Sequence, residues 1–243
     1  MARFDGLRGL LFDKDGTLID FFATWLPAYC DAADRVAHAA GLPDAADRML
    51  VAGGYDRAQA VLRPDSLLAG GTNEELIALW AATLGERAPA GIARIVLETF
   101  VDYSEGEVRP TADLPRLFAR LRGHGFRLGM ATNDDTETAR WTAEHLGLDG
   151  MLDFVVGADA GYGGKPGPGM AQAFCAATGL APHEVAIVGD SAADAGMARA
   201  AGLGAAIGVC TGAATAAALG VHFDVVIGSV DDLPALLLDM PKP

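Results

Sequence analysis

Leu10-Leu11-Phe12-Asp13-Lys14-Asp15-Gly16-Thr17-Leu18 is a short apolar run that ends in two carboxylates, a glycine and a hydroxyl. An apolar run bounded by turn residues reads as a buried strand of a parallel sheet, and open α/β sheets place their ligands beyond the C-terminal ends of such strands. If the extended backbone persists for two more residues, its period of two puts Asp13 and Asp15 on one side and Lys14, a bystander, on the other. Such a pair of acids has three uses: to bind a divalent cation, to divide the roles of nucleophile and proton carrier, or to cap a turn. A calcium loop would need further oxygen ligands and a late Glu, which Thr17-Leu18-Ile19-Asp20-Phe21-Phe22 does not supply. The stretch alone leaves turn and active site open.

Composition narrows the setting. With 243 residues the chain is long enough for one sizeable domain and a smaller insert. Its 32 acidic against 18 basic residues give a formal net charge of -14, which disfavours nucleic acid and anionic membranes as partners. No run approaches the length of a membrane span, and the N-terminus carries no long apolar secretory segment. Cys30, Cys175 and Cys210 are odd in number and widely spaced, so they are expected as buried small hydrophobes in a reducing, cytoplasmic setting.

Beyond the opening stretch, residues 20–108 change character. They are rich in Ala, Leu and charged residues at helical spacing, which predicts a helical insert. Trp25, Tyr29, Val36 and Ala40 mark one face of its first helix, which Gly41-Leu42-Pro43 stops; Thr72 and Glu75 form a candidate capping box for a later one. Turn formers around Gly53-Gly54-Tyr55-Asp56-Arg57 and Arg63-Pro64-Asp65-Ser66 predict a loop. It is either plain surface or a substrate-selecting loop carrying Tyr55, Arg57 and Arg63.

After Arg109-Pro110 strands and helices alternate. Phe126 to Ala131 reads as a strand that stops at Thr132-Asn133-Asp134-Asp135, where capping of the next helix competes with a role in a site. Phe154-Val155-Val156 leads into a Gly- and Pro-rich loop holding Lys165, one of only three lysines, without the spacing of a nucleotide P-loop. Val185 to Val188 runs into Gly189-Asp190-Ser191-Ala192-Ala193-Asp194. There Gly189 permits close approach of a ligand, and Asp194 either supports the helix dipole or helps complete the oxygen shell of Mg²⁺. Strands near Ala205 to Val209 and Val225 to Ile227 finish the sheet, and Asp231 and Asp232 open a last short helix.

Taken in order, Asp13-Lys14-Asp15-Gly16-Thr17, Thr132-Asn133, Lys165 and Gly189-Asp190-Ser191-Ala192-Ala193-Asp194 resemble the four motifs of the haloacid dehalogenase (HAD) superfamily of phosphohydrolases. The resemblance spans nearly the whole chain and is closest to the phosphoglycolate phosphatase branch with a helical C1-type cap. It implies an α/β fold: a doubly wound, mainly parallel Rossmann-like sheet with a smaller helical cap inserted after the first strand. The core would comprise residues 1–19 and 109–243, and the cap residues 20–108.

By the resemblance Asp13 is the nucleophile and Asp15 the acid and then the base. Thr132 and the backbone at Asn133 hold the phosphoryl oxygens, together with Gly16 and Thr17, and Lys165 neutralises their charge. Mg²⁺ is implied as cofactor, held by Asp13, the Asp15 carbonyl and Asp190, with Asp194 direct or through water. The substrate class implied is a small phosphorylated metabolite, phosphoglycolate-like or a sugar phosphate. No lysine stands in residues 20–108, which excludes the Schiff-base phosphonate hydrolases of the superfamily, and Asp15 argues against the dehalogenases. A hexose-phosphate mutase and a non-catalytic phosphometabolite-binding protein are the alternatives. Monomer and homodimer stay equally open.

Overall fold

The structure, a computed structural model, describes residues 4–63, 66–104 and 108–238. Pro64 and Asp65 of the turn-rich loop, and Lys242, lie outside the described residues. The first strand, β1 (Gly9–Phe12), is followed by an insert. It comprises α1 (Phe21–Ala39), α2 (Ala45–Gly53), the hairpin β2 (Tyr55–Asp56) and β3 (Val61–Leu62), α3 (Leu67–Gly70), α4 (Asn73–Leu84) and α5 (Ile92–Ser104). Alternation then sets in with α6 (Leu114–Gly123), β4 (Arg127–Ala131), α7 (Thr136–His145), β5 (Phe154–Val156), α8 (Gly169–Thr178) and β6 (Val185–Gly189). The chain closes with α9 (Ala192–Ala201), β7 (Ala205–Val209), α10 (Ala216–Leu219), β8 (Val225–Ile227) and α11 (Leu233–Leu237).

Among the described residues the main sheet has six strands in the order β5-β4-β1-β6-β7-β8, every pair parallel. The chain runs outward from β1 through β4 to β5, then returns to the other side of β1 and runs outward again. That reversal makes the C-terminal end of β1 the switch point at which such sheets bind ligands. Side-chain alternation explains why both faces are covered. Leu10 and Phe12 of β1 and Ala186 and Val188 of β6 join one apolar cluster, while Leu11, Val185 and Ile187 join another with Phe174 of α8.

The insert has its own apolar contacts. Trp25 and Tyr29 of α1 meet Phe100 of α5 edge-on at 5.8 and 5.3 Å between ring centroids, and the Trp80 indole of α4 donates to the Met49 carbonyl of α2 at 3.0 Å. The Thr72–Glu75 capping box forms as the sequence predicts. The stretch expected as loop includes the short β2–β3 hairpin, because the Asp56 carboxylate accepts from the Ala58 and Gln59 amides and turns the chain back on itself. Among the described residues no helix is long and apolar enough to cross a membrane. Of the cysteines, Cys175 is buried and Cys30 half-buried. Cys210 is exposed, against expectation, because β7 ends at Val209 and Cys210 already stands on the turn that follows.

Candidate active site

Four strand ends build the site. Asp13 leaves β1 with its amide on the Val188 carbonyl of β6 at 2.8 Å, so the nucleophile candidate is anchored by the sheet itself. The chain then turns at once: the Lys14 carbonyl accepts from the Leu18 and Ile19 amides at 2.9 and 3.1 Å. Gly16 has φ of +80°, and a Cβ there would stand 2.5 Å from the Asp190 carboxylate, so glycine is required both by conformation and by space. The Thr211 hydroxyl after β7 donates to the Gly16 carbonyl at 2.5 Å and ties this turn to the far half of the sheet.

The turn overturns the expected position of Lys14. A period of two requires extended backbone, and that ends at Phe12. Lys14 is fully buried, and its ammonium reaches both oxygens of Asp15 at 2.9 Å and Asp134 at 3.2 Å. It also lies 4.8 Å from the centroid of the Trp25 ring, while the Trp25 indole donates to Asp15. Burial acts to lower the Lys14 pKa, but Asp15 and Asp134 outweigh it and hold the ammonium charged.

At the end of β4, Thr132 is buried with its hydroxyl accepting from the Asp134 amide at 3.1 Å. The cap of α7 is Asp135, which accepts from the Thr138 amide at 2.7 Å, so Thr132 and Asn133 are spared that task. The Asn133 amide group clamps the backbone of Lys165, accepting from its N–H at 2.7 Å and donating to its carbonyl at 3.3 Å. Lys165 precedes a cis bond to Pro166 and reaches back so that its ammonium donates to Asp13 and, at 2.6 Å, to Asp194.

Beyond β6, Asp190 is buried, and Asp194 sits in the first turn of α9. There the Asp194 carboxylate accepts from the Ser191 hydroxyl and amide at 2.6 and 3.1 Å. Gly189 serves this residue rather than a ligand, since a Cβ at 189 would overlap the Asp194 carboxylate. Asp194 thus completes the capping box with Ser191 while its other oxygen meets the Lys165 ammonium.

Oxygens of Asp13, Asp190 and Asp194 lie within 4.8 Å of one another, all buried. Three buried carboxylates against the single ammonium of Lys165 form a hard-oxygen donor set with charge to spare, which fits a divalent cation of the magnesium type. The same crowding shifts the acids. Burial pushes the Asp13 carboxyl up from 3.8 to about 7 against the pull of Lys165, with Asp194 and Asp15 adding to the rise. Asp190 is raised by burial and by its neighbours Asp13 and Asp194. Lys165 stays charged because Asp13 and Asp194 outweigh its burial.

These groups floor a cavity of about 570 Å³ including its mouth. Asp13, Asp15, Thr132, Asn133, Lys165 and Asp190 line it. Gly16 and Thr17 shape the turn below and do not line it. Neither do Tyr55, Arg57 and Arg63 of the insert. Arg57 pairs with Asp34 at 3.1 Å and Asp47 at 3.4 Å, and the Arg63 guanidinium donates to the Val51 carbonyl at 3.1 Å. The insert instead presents Phe21, Trp25 and Tyr29 of α1, Leu68 and Ala69 of α3, and Asn73 of α4. The Asn73 amide donates to Asp134 at 3.2 Å and so ties the insert to the core. Sequence reasoning placed Trp25 and Tyr29 on one helix face without placing them over the site, and it missed Lys14, Asn73 and Asp134. The signals present were a lysine between two acids and a second acid following Thr132-Asn133.

The family model for haloacid dehalogenase-like hydrolases matches residues 7–202. Among curated proteins, a phosphoglycolate phosphatase from Shigella boydii is 29% identical over 248 residues, spanning 97% of this chain and 95% of that protein. One from Chromobacterium violaceum is 31% identical over 233 residues, spanning 95% and 96%. Among solved structures, that of a predicted phosphoglycolate phosphatase from Haemophilus somnus superposes with a TM-score of 0.70 at 19% identity, covering 95% of this chain and 98% of the other, and shares the fold.

Proposed function

Because the chain belongs to the haloacid dehalogenase-like hydrolase family and is, with its relatives, a phosphoric monoester hydrolase, we propose that it is a Mg²⁺-dependent phosphatase of small phosphomonoesters, phosphoglycolate-like or sugar phosphates, working through an aspartyl-phosphate on Asp13. The observation that carries this reading is the Lys165 ammonium set against Asp13 on the cavity floor, with the Asp15 carboxylate two residues on. In this reading residues 20–108 act as the cap over a core of 1–19 and 109–243.

Asp13 attacks phosphorus as the bond to the leaving oxygen breaks, and Asp15 donates the proton that this oxygen takes up. Asp15, now a carboxylate, removes a proton from water; the water oxygen bonds to phosphorus, the Asp13–phosphorus bond breaks, and inorganic phosphate leaves. Lys165, the Thr132 hydroxyl and the backbone at Asn133 face the transferred oxygens as negative charge builds on them. Asp13, Asp190 and the Asp15 carbonyl, with Asp194 behind them, would hold Mg²⁺, which would supply further positive charge to the phosphoryl group. Unpaired cysteines fit a reducing compartment, and the reading places the enzyme in the cytoplasm.

Inorganic phosphate released from a panel of phosphorylated C2 and C3 acids, polyols and sugars, with Mg²⁺ present, tests the reading. Turnover that vanishes in Asp13→Asn supports it. No turnover of any member, or full turnover in the variant, would sink it, and accumulation of an isomeric sugar phosphate in place of free phosphate would favour a mutase.

A further inference from the structure

Resting on the phosphatase reading of this cavity, we propose that it selects between the two substrate classes of that reading: the group released from phosphate is an uncharged alcohol carrying an apolar or ring face, as in a sugar phosphate, and not a carboxylate-bearing alcohol as in phosphoglycolate. Two separate features of the cavity support this, its charge and its wall. Asp13, Asp15, Asp134 and Asp190 all line it, and among the described lining residues the only cation is Lys165, which is already shared by Asp13 and Asp194. Lys14, the other ammonium nearby, is fully buried and held by Asp15 and Asp134. Beyond the phosphoryl end, whose acids Lys165 and the proposed Mg²⁺ would offset, a leaving group with its own carboxylate would find no further cation among the described lining residues to replace the water it loses.

Three arginines of the insert are engaged elsewhere. Arg57 is bound to Asp34, Asp47 and the Cys30 carbonyl, and Arg35 to Asp31 and Asp102, while Arg63 donates to a backbone carbonyl. What the insert turns toward the phosphoryl site is Phe21, Trp25, Tyr29, Leu68 and Ala69, with Asn73 as the polar exception. Burial, together with Asp15 and Asp134 nearby, raises the Tyr29 pKa and keeps the phenol neutral. Aromatic and aliphatic surface with neutral polar groups suits the C–H face and hydroxyls of a sugar ring or an aryl ring.

Two matched pairs test this on the intact chain: ethylene glycol monophosphate against phosphoglycolate, and phenyl phosphate against 4-carboxyphenyl phosphate. kcat/KM is measured on the wild type with Mg²⁺, and Kd by calorimetry on Asp13→Asn, which reports selection of the leaving group whether or not hydrolysis occurs. The expected result is a preference of about tenfold or more for the uncharged member of each pair in both measurements. Equal values, absence of binding by either member, or preference for the carboxylated member would overturn the inference. If the wild type hydrolyses none of the four while the Kd preference stands, the phosphatase reading fails and the selectivity holds.

Discussion

Asp13 carries two burdens, burial and chemistry, and they separate under mutation. A carboxyl raised from 3.8 to about 7 keeps a proton in the folded state that the unfolded chain has released, so between those values stability falls as pH rises. The slope for one proton is at most about 1.4 kcal/mol per pH unit. Asp13→Asn removes this term, so in chelator-treated protein its unfolding free energy relative to wild type should climb from pH 4 to pH 7 by denaturant titration. The same variant should lose turnover by on the order of a thousandfold or more. A flat difference across the pH range would show that the buried acid is not the source of the dependence. Lys14 gives a second test, since it bridges both oxygens of Asp15 and Asp134. Lys14→Met should lower kcat by about 10- to 100-fold with KM within a few-fold, because Asp15 loses its orientation while the phosphoryl cradle stays, and Lys14→Arg should recover part of the loss. This residue also marks where the sequence ran out: the apolar run placed Asp13 and Asp15 just beyond a strand end, yet the expected alternation does not continue past Phe12, because the turn there is set by the Lys14 carbonyl and by Gly16, and no local pattern states it.

The core elements were legible because each strand is a short apolar run and each helix a regular amphipathic stretch. Phe154–Val156, Ala205–Val209 and Val225–Ile227 fall where the sequence placed them, and the capping box at Thr72 is a local device readable from two residues. The insert was legible as helical but not in how it faces the core. Orientation depends on contacts such as Asn73 to Asp134, 61 residues apart, and on which arginines find partners within the insert. The N-terminus of α4 joins both scales. Thr72→Ala should cost about 1 kcal/mol of stability by loss of the cap, measured by chemical denaturation. Asn73→Ala leaves the cap intact and should instead raise KM several-fold, with stability lowered by no more than about 1 kcal/mol, since one part-buried hydrogen bond to Asp134 is removed. Identical effects of the two variants on KM and on stability would mean that α4 has no separate role in holding the insert over the cavity.

Across the whole molecule, a net charge of -14 is concentrated in part where β1 and β6 end, and the sheet forces Asp13, Asp190 and Asp194 together with one ammonium among them. The fold assembles this repulsion from the apolar side: β1 and β6 are buried along their whole length, and their register fixes where the acids emerge. A divalent cation that binds only the folded arrangement relieves the repulsion and stabilises by mass action, by about 2.7 kcal/mol at a hundredfold excess over Kd. For a chain of this length that corresponds to a rise of roughly 5–10 °C in Tm between chelator and saturating Mg²⁺. Asp190→Asn should abolish most of the rise, because its carboxylate is one of the three and no hydrogen bond to the chain depends on it among those described. Asp231→Asn, at an exposed acid opening the last short helix, should keep it. Differential scanning calorimetry of the three proteins, each with and without Mg²⁺, separates a site effect from general screening of an acidic chain. An equal rise in all three would assign the stabilisation to screening and remove the buried acids as its cause.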